Sequence, residues 1–194
     1  MPPIANTGSL QSWRERVGTL PPVLGEALDA CVSRKLHEAE CTDVLDLLDM
    51  LGCDAQTQAA ALWFELARAD PALWQERRAK LPTELQRLVD GQQAAEQVWA
   101  LHAQRPPQGA AEGLRRLLLA IVRDLRVVFV LLARQLARMR AAANLADDER
   151  QALARLTRDI HAPLANRLGI WQLKWELEDL AFRYLQPDTY RRIA

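Results

Sequence analysis

At 194 residues, 49% hydrophobic and 26% charged, the chain has the make-up of a soluble globular protein and is long enough to bury a core without disulfides or metals. Its 25 basic and 25 acidic residues cancel, so no global field favours nucleic acid or an anionic membrane. The longest apolar run, Val127 to Ala133, falls far short of the roughly 20 residues that a bilayer demands, and residues 1–9 lack the basic-then-apolar pattern of a secretion signal.

Strand signals are missing: there is no sustained alternation, no Asn-Gly or Asp-Gly hairpin turn, and few β-branched residues. The expected fold class is therefore all-α, a multi-helix bundle with no significant sheet. Val44, Leu47, Leu48 and Leu51 recur at the spacing of one helix face, which predicts a helix over 42–51 with Thr42 or Asp43 as N-cap and Gly52 as stop. A helix rich in small apolar residues follows over 55–69, closed by Asp70-Pro71, whose proline suits the first turn of the next helix.

Short helices are then expected over 71–80 and 83–89, the second opening on a Thr83…Gln86 capping box, with another over 92–103. Arg105 to Gly109 is the clearest loop. Residues 111–143 are too apolar on too many sides for a surface helix and should form the central core, divided into two helices at Arg123-Asp124. The last stretch is expected to break at Pro163 and Gly169, to run as a helix from Ile170 to about Leu185, and to start another at Pro187.

Cys31, Cys41 and Cys53 are odd in number and lack CxxC spacing, so buried reduced thiols are expected rather than disulfides or a zinc site. The lysines are Lys35, Lys80 and Lys174, and the remaining basic residues are arginines, a dispersed enrichment better explained by coding bias than by phosphate binding. The group Arg115, Arg116, Arg123 and Arg126 reads as a solvated surface. Trp13, Trp63, Trp74, Trp99, Trp171 and Trp175 read as packing residues rather than base-stacking platforms, Trp171 and Trp175 sharing one helix face. His37, His102 and His161 stand far apart and read as non-catalytic.

The block from Ile160 to Ile170, IHAPLANRLGI, followed by QLKWELED over 172–179, FRYLQP over 182–187 and YRRIA over 190–194, resembles the RelA/SpoT family of (p)ppGpp enzymes. Residues 117–127, LLLAIVRDLRV, and Leu132-Ala133 continue the resemblance, which fades toward the N-terminus. In that family this region joins an HD-type hydrolase domain to a synthetase domain. The resemblance implies an HD-domain-like bundle over 35–160, a helical linker over 161–194 in which Pro163, Leu164, Ala165, Asn166, Arg167, Leu168 and Gly169 carry the family motif, and an extension of unknown role over 1–34.

Active members of the family hydrolyse a 3′-pyrophosphate with a divalent metal held by His and Asp ligands that leave a position open for water. Carried over position by position, those ligands are missing. The first ligand His corresponds to the neighbourhood of Glu40-Cys41. The His-Asp pair, counted from Asp54, falls on Phe64-Glu65, or on Trp63-Phe64 with a one-residue slip, and neither register restores it. The acidic pair that follows becomes Arg68-Ala69, the last metal-ligating Asp becomes Arg134, and a nucleotide-contacting Asn becomes Arg138.

A guanidinium where a cation must sit repels it. Glu65 or Glu40 is therefore expected to pair with Arg134 or Arg68, with Trp63 or Phe64 packing nearby. His161 takes a place that is aromatic in relatives, which suggests packing.

The resemblance implies a catalytically inactive HD domain of a RelA-type GTP pyrophosphokinase, without cofactor or metal. Such a domain is cytoplasmic, supports or restrains the synthetase domain of the same parent, and reaches the ribosome only through that parent, with no membrane or direct nucleic-acid contact. The alternatives are a non-catalytic guanine-nucleotide-sensing module and, less favoured, a metal-dependent phosphohydrolase. The chain stops where the synthetase domain is expected to begin, which suggests a fragment.

Overall fold

The computed structural model describes residues 8–103 and 123–193, and among these there is helix and turn but no strand. They fall into two compact units, one ending at residue 131 and the other running from 132. None of the helices in the described residues is long and apolar enough to cross a membrane.

The first unit contains α1 (Leu10–Val17), α2 (Pro22–Arg34), α3 (Glu38–Met50), α4 (Ala55–Ala69), α5 (Pro71–Arg78), α6 (Thr83–Ala103) and the start of α7 (Leu125–Ala141). α4 is its centre, packed against α2, α3, α5 and α6. The side chains explain why. Asp54 caps the helix, accepting from the Thr57 N–H at 2.8 Å and the Thr57 hydroxyl at 2.6 Å. The buried run Ala59, Ala60, Ala61 then lets neighbouring backbones come close. Gln92 of α6 uses that approach, donating from Nε2 to the Ala60 carbonyl at 3.1 Å. Leu62, Trp63, Phe64 and Leu66 are fully buried, each contributing roughly 1.5–3 kcal/mol by leaving water. Asp70 ends α4 and accepts from the Leu73 N–H at 3.0 Å to start α5, with Pro71 in the first turn as expected.

Several boundaries differ from the expectation. α3 starts at Glu38, because Thr42 is no cap: its hydroxyl donates to the Glu38 carbonyl at 2.7 Å inside the helix. Gly52 does terminate the helix at φ +70.

The two helices expected over 83–89 and 92–103 are one, α6. Gly91 does not interrupt it. The missing side chain there makes room for Val127, whose Cγ2 would lie 2.9 Å from an added Cβ. The expected capping box is replaced: the Gln86 amide donates to the Leu81 carbonyl at 2.8 Å. Arg123 and Asp124 do stand just before a helix start, and Asp124 accepts from the Arg126 N–H at 3.0 Å.

Arg126 is not simply solvated. Its guanidinium meets Asp124 at 2.7 Å, Glu84 at 2.6 Å and Asp54 at 3.5 Å, tying the starts of α4, α6 and α7 together. Those contacts help hold the Asp54 and Asp124 carboxyls below their ordinary range, in Asp54 beside the hydrogen bonds from Thr57. The expected loop at 105–109, Arg115, Arg116 and the first of the two helices expected within 111–143 lie outside the described residues.

The second unit holds the rest of α7, a 3-10 turn (Ala142–Asn144), α8 (Asp147–Leu156), a π turn (Thr157–His161), α9 (Ala162–Arg167), α10 (Trp171–Leu185) and α11 (Pro187–Ile193). α10 packs on α8 and α9 and buries Leu173, Leu177 and Leu180. A bidentate pair between Arg140 and Glu176, at 2.6 and 2.7 Å, and a Tyr184 hydroxyl donating to the Met139 carbonyl at 3.3 Å join α10 to α7.

Pro163 does not break the chain, as it was expected to. The helix widens into the π turn ahead of it and runs on through α9 to Gly169, whose φ of +70 ends it. Trp171 and Trp175 are not core residues: they are 53% and 64% exposed. Between them lies the largely buried Lys174, its Nζ 3.9 Å from the Trp175 ring centroid and 5.6 Å from that of Trp171. The other tryptophans, Trp13, Trp63, Trp74 and Trp99, are buried.

Candidate functional site

The end of α4 and the start of α3 bring together four of the positions singled out in the sequence. Glu65, Arg68 and Ala69 occupy one face of α4 at i, i+3, i+4 spacing. With Glu40, Cys41, Leu36 and His37 from the α2–α3 junction they line a cavity of about 220 Å³. Phe64 lies in the packed core beside it, fully buried, with the Arg68 guanidinium 5.9 Å from its ring centroid.

Arg68 contacts Glu65 at 3.4 Å and Glu96, from α6, at 3.7 Å. The Glu65–Arg68 pairing is one of those the sequence suggested. With the Arg68 side chain 49% exposed, such a pair adds at most about 1 kcal/mol. Its importance is electrostatic, since it commits the Glu65 carboxylate to a fixed positive charge.

The chemical capacity of the cavity follows from its donors. Glu40 and Glu65 are carboxylates, His37 an imidazole and Cys41 a thiol. Among the described residues, though, no group of three or more His, Cys, Asp or Glu converges on a point that could hold a metal ion. Cys31, behind the cavity, is fully buried. Burial first, then the nearness of Cys41 and Glu65, pushes its thiol far above the ordinary range, so it is an inert core residue. The Cys53 thiol is pushed up to about 11, mainly by burial. A hard divalent cation needs several convergent oxygen or nitrogen donors and an open water position. The described residues lining this cavity do not fit one.

Arg134 and Arg138 lie on α7 in the second unit, Arg134 at 4% exposure and Arg138 exposed. Both stand near His161, which is fully buried with Nδ1 3.3 Å from the Leu156 carbonyl. Burial chiefly, and then the charges of Arg138 and Arg134, lower that imidazole to about 3. His161 is thus a neutral packing residue, as its position suggested. The motif residues Pro163, Leu164, Ala165, Asn166 and Arg167 form α9, with Leu168 and Gly169 in the turn after it. Leu164 and Ala165 are buried; Asn166, Arg167 and Leu168 are exposed.

Two residues of the cavity region escaped the sequence reading. His37 stands far from the other histidines. It nevertheless precedes Glu40 and Cys41 by three and four residues, the spacing of one helix turn, and that signal was legible. Glu96 carried no local signal at all, since it arrives from a separate helix.

Residues 33–171 match the HD domain family. A GTP pyrophosphokinase of Escherichia coli (strain K12) is 40% identical over 155 residues, 78% of this chain and 21% of the relative. A GTP pyrophosphokinase of Brucella suis biovar 1 is 38% identical over 152 residues, again 78% of this chain and 20% of the relative. A probable guanosine-3′,5′-bis(diphosphate) 3′-pyrophosphohydrolase of Synechocystis sp. is 55% identical over 83 residues, 43% of this chain and 11% of the relative. The chain spans about a fifth of the length of the kinase relatives, 21% of the first.

Proposed function

The chain belongs to the HD-domain family in its RelA/SpoT form, and from that premise we propose that it is a pseudo-hydrolase: a domain that no longer hydrolyses (p)ppGpp and instead supports or restrains the synthetase domain of a cytoplasmic GTP pyrophosphokinase. One observation carries the reading. In the cavity where the family's acidic residues are expected, Arg68 presents a guanidinium ion-paired to Glu65 and Glu96. A divalent ion placed there would meet a like charge at short range, at a cost that grows as the effective dielectric falls. It would also have to take Glu65 from Arg68.

On this reading residues 35–160 form the degenerate domain, 161–194 the helical connection toward the synthetase, and 1–34 an N-terminal helical extension to which no role is assigned. Its partner is the synthetase domain of the same polypeptide, with any contact to the ribosome made through that parent.

The nucleotide-sensing alternative is less well supported by the same cavity, because about 220 Å³ lies below the range usual for small-molecule sites. The deciding experiment is direct. The purified chain is incubated with ppGpp and Mn²⁺, and pyrophosphate release is followed beside an active hydrolase. No release above the uncatalysed rate is expected. Turnover that disappears on chelation and in a Glu65→Gln variant would overturn the proposal.

A further inference from the structure

The second unit carries a slot that the reading above does not use. It opens along α9 and the second half of α10, with a volume of about 410 Å³. Its apolar lining is Ala162, Pro163, Ala181, Phe182 and Leu185. Its polar lining is Arg158, Asn166, Glu178 and Gln186.

The π turn builds one wall. Its extra residue per turn sets Arg158 and Ala162 one after the other along the slot, with Asn166 a turn further on. It also leaves a backbone acceptor unserved: the Ala162 N–H bonds the Thr157 carbonyl, and Pro163 has no N–H. Neither helix donor that could reach the Arg158 carbonyl is therefore given to it.

The charges and the amides of the slot differ in how far they are committed. Arg158 bonds Asp159 at 2.7 Å, and Glu178 takes the Lys174 ammonium at 2.9 Å, so both charged groups are already neutralised. The side-chain amides of Asn166 and Gln186 have no hydrogen-bond partner among the described residues, and each offers two donors and an acceptor. An ionic ligand would find no uncommitted counter-charge here. A wholly apolar one would leave both amides facing it. The combination suits a flat ring with donors and acceptors on its edge.

Phe182, half-buried and held edge-on by Tyr190 at 5.9 Å, supplies an aromatic surface for such a ring. The volume lies at the small end of ligand sites, room for a ring system and a sugar but not for a long phosphate chain.

We propose that this slot binds a neutral, planar, hydrogen-bonding heteroaromatic compound of purine-nucleoside size, its edge read by the Asn166 and Gln186 amides and its ring packed on Phe182. The inference is independent of the Arg68 cavity.

Adenosine and inosine, titrated separately into the ¹⁵N-labelled 194-residue chain, test it by NMR, with toluene as the apolar control. The expected result is saturable shifts of the Asn166 and Gln186 side-chain amide signals and the Phe182 backbone amide, with a Kd on the order of 0.1–1 mM, as suits so small a ligand. The Asn166→Ala, Gln186→Ala double variant, altered only at exposed positions, should keep its circular dichroism and bind at least tenfold more weakly. Arg68→Ala should bind as the parent does. Absence of saturable shifts with both nucleosides, toluene binding equally tightly, or undiminished binding by the amide variant would each overturn the proposal.

Discussion

Lowering the pH from 8 to 5 should destabilise this protein through one residue, His161. Its imidazole is fully buried on the π turn, and burial, with Arg138 and Arg134 nearby, lowers it to about 3. An unfolded histidine titrates near 6.5. Below that value the unfolded chain binds a proton that the folded chain refuses, so stability falls as pH drops from about 6.5 toward 3. At pH 5 the difference amounts to about 1.5 pH units of proton uptake, or about 2 kcal/mol at 1.36 kcal/mol per unit.

Urea unfolding at pH 8 and pH 5 measures this loss directly, and His161→Phe isolates it, since an aromatic ring can fill the space without titrating. The variant should lose about 2 kcal/mol less than the parent over the same interval. Equal losses in parent and variant would refute the reasoning, and so would a parent whose stability does not change between the two pH values.

Three further outcomes follow from particular contacts. Arg126→Met should raise the Asp54 and Asp124 carboxyls toward their ordinary range, seen by NMR titration of the carboxyl carbons, because their shared guanidinium is gone. It should cost about 1–2 kcal/mol, less at high salt, since the Arg126 side chain is partly exposed. Gly91→Val should destabilise by about 1–3 kcal/mol in thermal melts through collision with Val127, and Val127→Ala should recover part of that loss in the double variant. Thr157→Val should cost about 1–3 kcal/mol in urea unfolding. It removes the hydroxyl that accepts from Gln135 at 2.7 Å and donates to the Leu153 carbonyl at 2.8 Å, leaving a buried amide unsatisfied.

The helical character and much of the punctuation were legible in the residues themselves. Asp54, Asp70-Pro71, Gly52 and Gly169 act on backbone groups within a turn of their own position, so capping and φ preference announce them locally. The identities of Arg68 and Arg134, on which the proposed loss of hydrolysis rests, are equally plain in the sequence. The failures share a cause. The gap expected between 83–89 and 92–103 is closed by one continuous helix, in which Gly91 leaves space for Val127, distant in sequence. Trp171 and Trp175 share a face with core-like spacing, yet the adjacent positions Leu173 and Leu177 take the buried side of α10.

Sequence alone thus determined the all-α class and the family, since helix propensity and motif are properties of neighbouring residues. Tertiary structure alone decided that His37, Glu40, Cys41, Glu65 and Arg68 share one cavity, that Glu96 reaches in from α6, and that Pro163 is absorbed by a π turn instead of ending a helix. The shared cavity and the Glu96 contact depend on how closely helices far apart in the chain approach one another. That distance is set by packing small residues such as Ala59, Ala60 and Gly91 against their neighbours, which no local pattern encodes.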